Sequence, residues 1–133
     1  MSERQFEDDR SIPNDAILFR RIPPNWLADG EGGRKRVSSA AYKHFELSVL
    51  IELLMRVAGR SAGDGLRGYP DHYLVSITAG LARELNQIVA KDTCPPNDPA
   101  HGLVIGKKTD SIANRLARQS AWVIPPEPPL SAA

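Results

Sequence analysis

The chain is short of aromatic side chains, of cysteine, of net charge and of long apolar runs, and each shortage excludes something. Aromatics make up 6% of the 133 residues, so the core must rest on Leu, Ile, Val and Ala. There are also few rings beside the basic runs on which a nucleic-acid base would stack. The one cysteine, Cys94, excludes an internal disulfide and fits a reducing compartment. A net charge of +1 excludes a strongly basic chain, though not a local basic face. No apolar run approaches the length of a membrane span. The opening residues, MSERQFEDDR, carry charges where a leader needs an apolar segment. The expectation is a soluble, cytoplasmic protein with no membrane partner.

What is present is ordinary for a globular domain: 41% hydrophobic and 25% charged residues. A chain of this length buries roughly two-thirds of its unfolded surface and folds without disulfides or metal. Composition divides it into a flexible acidic arm over 1–12, a single domain over 13–124 and a disordered proline-rich tail over 125–133.

Within the domain, AILFRRI (16–22) reads as a strand that sends Arg20 and Arg21 to opposite faces. ADGEGGRKRV (28–37) reads as a glycine-rich loop carrying Arg34, Lys35 and Arg36. Ser38 and Ser39 suit the cap of a short turn. Leu47, Leu50, Ile51, Leu54, Val57 and Ala58 recur at helical steps, which predicts a helix over Leu47–Ala58. A second glycine-rich loop follows over 59–71, a candidate lid. YLVSIT (73–78) and 88–90 read as strands, separated by a short helix to about Asn86. KDTCPPNDPA is a rigid turn, and Leu103-Val104-Ile105 is an inner strand. Ile112, Ala113, Leu116, Ala117 and Ala121 then predict a helix over Asp110–Trp122, capped by Thr109 or Asp110. The fold expected is a small single-domain α+β structure of three to four short strands, its two main amphipathic helices packed on one face.

The chemistry-bearing patterns are sparse. Gly102 to Thr109 resembles the end of a phosphate-binding loop. It has three apolar residues between its glycines where an open nest of amides needs four. Lys107, Lys108 and Thr109 still stand at a helix start, where backbone N–H groups attract anions. His44, His72, His101 and Cys94 lack the spacing of a local zinc site, so no metal and no cofactor are expected. Ser–His–Asp and Cys–His triads are recognised by geometry, which spacing does not supply. Cys94 precedes two prolines and does not open a helix. The candidate polar or anion site is therefore Arg20, Arg21, Ser38, Ser39, His101, Lys107, Lys108 and Thr109, with no catalytic residue assigned.

Two resemblances follow from particular segments. The order Arg20 or Arg21, then Ser38-Ser39, then Glu84 resembles that of ADP-ribosyl-transferring toxins and related NAD-cleaving folds. It implies an arginine on the cofactor phosphate, a supporting serine, and a glutamate that stabilises charge on the ribose. LFRRIPPNW, RVSSAAY, SITAGLARELN and PAHGLVIGKKTDSIANRLARQSAW together resemble a group of small bacterial proteins, which implies a compact single domain and no particular mechanism. The leading expectation is a non-catalytic protein-interaction component of a larger bacterial assembly, with another protein as partner. The alternatives are an NAD-processing enzyme and a nucleic-acid-binding accessory protein. The latter would use a basic face of Arg20, Arg21, Arg34, Lys35, Arg36, Lys107, Lys108, Arg115 and Arg118.

Overall fold

The computed structural model describes residues 6–126. Its strands are β1 (Ile17–Ile22), β2 (Leu27–Asp29), β3 (Lys35–Val37), β4 (Glu46–Ile51), β5 (Tyr73–Thr78), β6 (Ile88–Lys91), β7 (His101–Ile105) and β8 (Ala121–Ile124). Its α-helices are α1 (Glu52–Val57), α2 (Ala79–Glu84) and α3 (Asp110–Gln119). Six strands form one sheet in the order β6-β7-β4-β1-β5-β8, and β2 and β3 form a separate two-stranded ribbon. Every neighbouring pair is antiparallel.

Side chains alternate between the two faces of a sheet, and the two apolar clusters follow that alternation. Leu18, Ile22, Leu47, Val49, Ile51, Val75, Ile77, Val89 and Val104 form the larger cluster. It is completed by Ala79 and Ala82 of α2, Ala113 and Leu116 of α3, and Ala41 and Tyr42 of the turn at Ser39–Tyr42. The other face carries Phe19, Leu50 and Leu74, packed with Met55 of α1 and Ala100. At about 25 cal/mol per Å² of apolar surface, burial on both faces is the main stabilising term.

This layout corrects the expected three- to four-stranded α+β domain with both helices on one face. The segment expected as a helix over Leu47–Ala58 is the inner strand β4 followed by the six-residue α1. Leu47, Leu50 and Ile51 satisfy a helical step, but Leu47, Val49 and Ile51 equally satisfy a two-residue step. A strand buried on both faces shows apolar residues at both spacings, so periodicity alone does not separate the readings. The 28–37 loop contains the β2–β3 ribbon, whose connection turns through Gly32 at φ 65°. The last helix ends at Gln119, and Trp122 lies on the edge strand β8, paired with Val75.

Of the arm expected over 1–12, residues 1–5 lie outside the described residues. Asp8, Asp9 and Ile12 tie the described part to β6, α2 and the core. The Asp9 N–H donates to the Val89 carbonyl at 2.8 Å, Asp8 pairs with Arg83 at 3.0 Å, and Ile12 is buried. Of the proline-rich tail expected over 125–133, residues 127–133 lie outside the described residues.

Candidate functional site

The site forms where the sheet opens. β1 and β4 pair at Leu18↔Ile51 and Phe19↔Leu50. One step further along, the Arg20 guanidinium spans to β4 and donates from Nη1 to the Ser48 carbonyl at 3.0 Å. Next to this bridge lies a hollow of about 40 Å³ lined by Phe19, Arg21, Ser48, Leu50 and His101, among others. The register Leu50↔His101 and Ser48↔Leu103 places Ser48 and His101 on the same face of the sheet, that of Phe19 and Arg21.

Three side chains are linked there. Ser48 Oγ is 3.1 Å from His101 Nε2. His101 Nδ1 is 3.2 Å from Asp92 Oδ2 and 3.1 Å from the Asp92 carbonyl oxygen. A carbonyl only accepts, so the contact assigns the proton to Nδ1 and leaves Nε2 to accept from the Ser48 hydroxyl. Asp92 itself is buried, and its N–H donates to the His101 carbonyl at 2.9 Å, so acid and imidazole are fixed to one another through backbone as well as side chain. The Asn97 amide donates to the Asp92 carbonyl at 3.2 Å, tying the turn before β7 to the same residue. Ser48 is exposed while its base is one-fifth exposed, which leaves the hydroxyl oxygen open to a ligand.

Charge surrounds this chain of contacts. Arg21 Nε donates to the Gly65 carbonyl at 2.6 Å, and its guanidinium lies 4.2 Å from the centre of the Tyr69 ring. Asp98 receives a two-pronged pair from Arg60, at 2.7 and 2.9 Å. That hydrogen bonding holds the Asp98 carboxyl below its ordinary range, although partial burial opposes it. Gly65 and Arg60 belong to the glycine-rich stretch after α1, so these contacts anchor that loop beside the site.

The residues singled out in the sequence divide between two places. Arg21 and His101 share the hollow, whose lining Arg20 also joins where it bridges β1 and β4. Arg20 points to the opposite face, where Nε donates to the Ala41 carbonyl at 3.2 Å and the guanidinium lies 5.0 Å from the Trp26 ring centre. Burial pushes Arg20 down to about 10, so it remains charged at neutral pH. Ser38 accepts from the Ala40 N–H at 3.2 Å and caps the turn that begins at Ser39. Thr109 caps α3 by accepting from the Ile112 N–H. Lys108 gives its ammonium to the carbonyls of Phe45, Val104 and Gly106 at 3.0 to 3.1 Å. Burial, followed by the charge of Arg20, pushes Lys108 down to about 8. An ammonium has three donors, so this lysine is spent on the fold. The Lys107 side chain is exposed, and its carbonyl accepts from Gln87. Glu84 is exposed at the end of α2 and lines two hollows, neither of which includes Arg20, Arg21, Ser38 or Ser39.

Ser48 and Asp92 were not among the residues expected to form a site. Ser48 reads as a helix cap once 47–58 is taken as a helix, and Asp92 reads as part of a rigid turn. The available signal was Ser48 itself, a lone polar residue within an apolar run that also alternates. Comparison with protein-family models, curated proteins and solved structures finds no match to the chain, and the arrangement is interpreted from its own geometry.

Proposed function

We propose that the protein is a small serine hydrolase of short acyl esters, with Ser48 as nucleophile, His101 as general base and Asp92 as the acid that orients the base. One observation carries this reading: the continuous chain of contacts from Ser48 Oγ through His101 Nε2 and Nδ1 to Asp92 Oδ2, at 3.1 and 3.2 Å. A nucleophile within hydrogen-bond reach of its base, with a carboxylate beside the base's other nitrogen, is the arrangement that activates a hydroxyl, whatever fold carries it. In the reaction, the hydroxyl proton passes to Nε2 as Oγ bonds to the ester carbonyl carbon. The imidazolium then returns that proton to the departing alcohol, and water releases the acid by the same two transfers in reverse order. The buried Asp92 carboxylate stabilises the imidazolium. The hollow beside Ser48, about 40 Å³, has room for only a few waters at about 10–15 Å³ each, which favours a short acyl group.

The test is covalent. A fluorophosphonate probe is expected to leave one adduct on Ser48, read by peptide mass spectrometry, and Ser48→Ala is expected to lose both the adduct and acetate release from phenyl acetate. A folded protein that takes no adduct, or an adduct that persists in Ser48→Ala, sinks the reading. The first outcome would favour the non-catalytic interaction role expected from the sequence.

A further inference from the structure

Arg21 stands beside the triad with its guanidinium over the Tyr69 ring and no carboxylate paired to it among the described residues. Among the described residues it makes no ion pair within 4.0 Å, and its only hydrogen bond is the one from Nε to Gly65. The acid in its vicinity, Asp98, is already engaged by both Nη groups of Arg60 and by the Ala100 N–H at 2.8 Å. Arg21 therefore differs from Arg20, whose guanidinium spends Nε and Nη1 on two backbone carbonyls. The Gly65 carbonyl and the Tyr69 ring fix the plane of the Arg21 guanidinium, and neither Nη group has a hydrogen-bond partner among the described residues. A planar fork held in one orientation matches the two oxygens of a carboxylate or phosphate, and little side-chain entropy remains to be lost on binding.

From this we infer that Arg21 is the anion-binding residue of the site, and that the molecule held beside Ser48 carries a carboxylate or a phosphate. The inference rests on the hydrolase reading for the fate of that molecule, but not for its binding. Arg21, Ser48 and His101 line one hollow, so an anionic group on Arg21 puts the rest of the ligand next to the nucleophile. Tyr69, 38% exposed, offers an apolar wall beside the charge.

Binding and catalysis are tested separately. Titration of Ser48→Ala protein with benzoate, phenyl phosphate and benzyl alcohol, followed by amide chemical shifts, separates the two anion types from a neutral ring. One or both anions are expected to bind about ten- to hundredfold tighter than the alcohol, the range of one to two charge-assisted hydrogen bonds. Arg21→Gln is expected to remove that preference, and Arg21→Lys to keep part of it. Because the contrast between ligands is measured in one protein, an unstable arginine variant does not blunt the test. Equal affinity for all three compounds overturns the inference, as does an anion preference that survives in folded Arg21→Gln. Anion binding without a Ser48 adduct in the labelling experiment sinks the hydrolase reading and leaves the anion site standing. The adduct without anion preference does the reverse.

Discussion

Arg20 donates to the Ser48 carbonyl at 3.0 Å from one face of the sheet, while the Ser48 hydroxyl meets His101 at 3.1 Å on the other. One residue is thus held by its backbone on the core side and presented by its side chain on the open side. Arg20 is a positioning residue: it fills the opening between β1 and β4 and satisfies two carbonyls, those of Ala41 and Ser48. Arg20→Met keeps the apolar stem and leaves both carbonyls without their donor. It is expected to cost about 2–4 kcal/mol of stability, read as a lower urea midpoint at pH 7.

Asp92→Asn tests the acid. The variant removes the carboxylate charge 3.2 Å from Nδ1 and keeps the backbone carbonyl that accepts from it, so the imidazolium formed on proton transfer loses its counter-charge while the tautomer stays. The rate of Ser48 labelling is expected to fall by about 10²- to 10⁴-fold, with the urea midpoint measured alongside. An unchanged labelling rate in folded Asp92→Asn would mean that the Asp92 carboxylate plays no part in activating Ser48.

Tyr42 sets an alkaline limit. Burial raises its phenol to about 12, outweighing the smaller opposing effects of Ser120 and Arg20. The Tyr42 hydroxyl has no hydrogen-bond partner of good geometry, and Ser120 Oγ gives its proton to the Ala117 carbonyl at 2.7 Å. An unfolded tyrosine ionises near pH 10. Between about pH 10 and 12 the unfolded chain has released a proton that the folded chain still holds, so this contribution to stability is full below pH 10 and is lost as pH rises through 12. Tyr42→Phe is expected to flatten that decline in urea midpoints taken from pH 9 to 11. At pH 7 it is expected to change stability by less than about 1 kcal/mol, since the hydroxyl it removes was unsatisfied.

The Arg60–Asp98 pair works at the acid end. Its side chains are 26% and 27% exposed, so the pair is worth more than a surface contact but is still screened by solvent. The folded carboxyl is held below the ordinary 3.8 by the Arg60 hydrogen bond. Its contribution is therefore present above about pH 4 and disappears as pH falls through the lower folded value. Asp98→Asn is expected to lower stability by about 1–2 kcal/mol at pH 7, and the difference from the parent protein is expected to shrink below pH 4. The same variant frees Arg60, so protease cleavage within 59–72 should quicken at neutral pH.

Gly102 has no room for a side chain. A Cβ there would lie 2.7 Å from Ile51 Cδ1 and 3.0 Å from the Ala90 carbonyl oxygen. β7 runs between β4 and β6, and both neighbours close on this position. Gly102→Ala is expected to destabilise by about 1–3 kcal/mol, measured by thermal or urea unfolding. Because Gly102 adjoins His101, Ser48 labelling should slow in parallel.

Several elements were legible in the sequence because their patterns are local. YLVSIT alternates and forms β5 over Tyr73–Thr78 as expected, and the Thr109 cap with the Ile112–Leu116 stripe marks α3. Arg20 and Arg21 had to face opposite ways on any strand. β4 was misread because a segment buried on both faces loses the single period that tells strand from helix. Its misreading concealed Ser48, whose neighbours in space come from residues 92 and 101.

By itself, then, the sequence determined the material of the core, the alternation that parts Arg20 from Arg21, and the caps at Ser38 and Thr109. The tertiary structure decided which polar residues meet. The pairing of β4 with β7 sets Ser48 against His101, and the β6–β7 hairpin sets His101 against Asp92. The physical reason is register. Strand pairing aligns residues far apart in the chain to within a few ångströms, and a slip of one position turns every side chain to the other face. No spacing along the sequence carries that information.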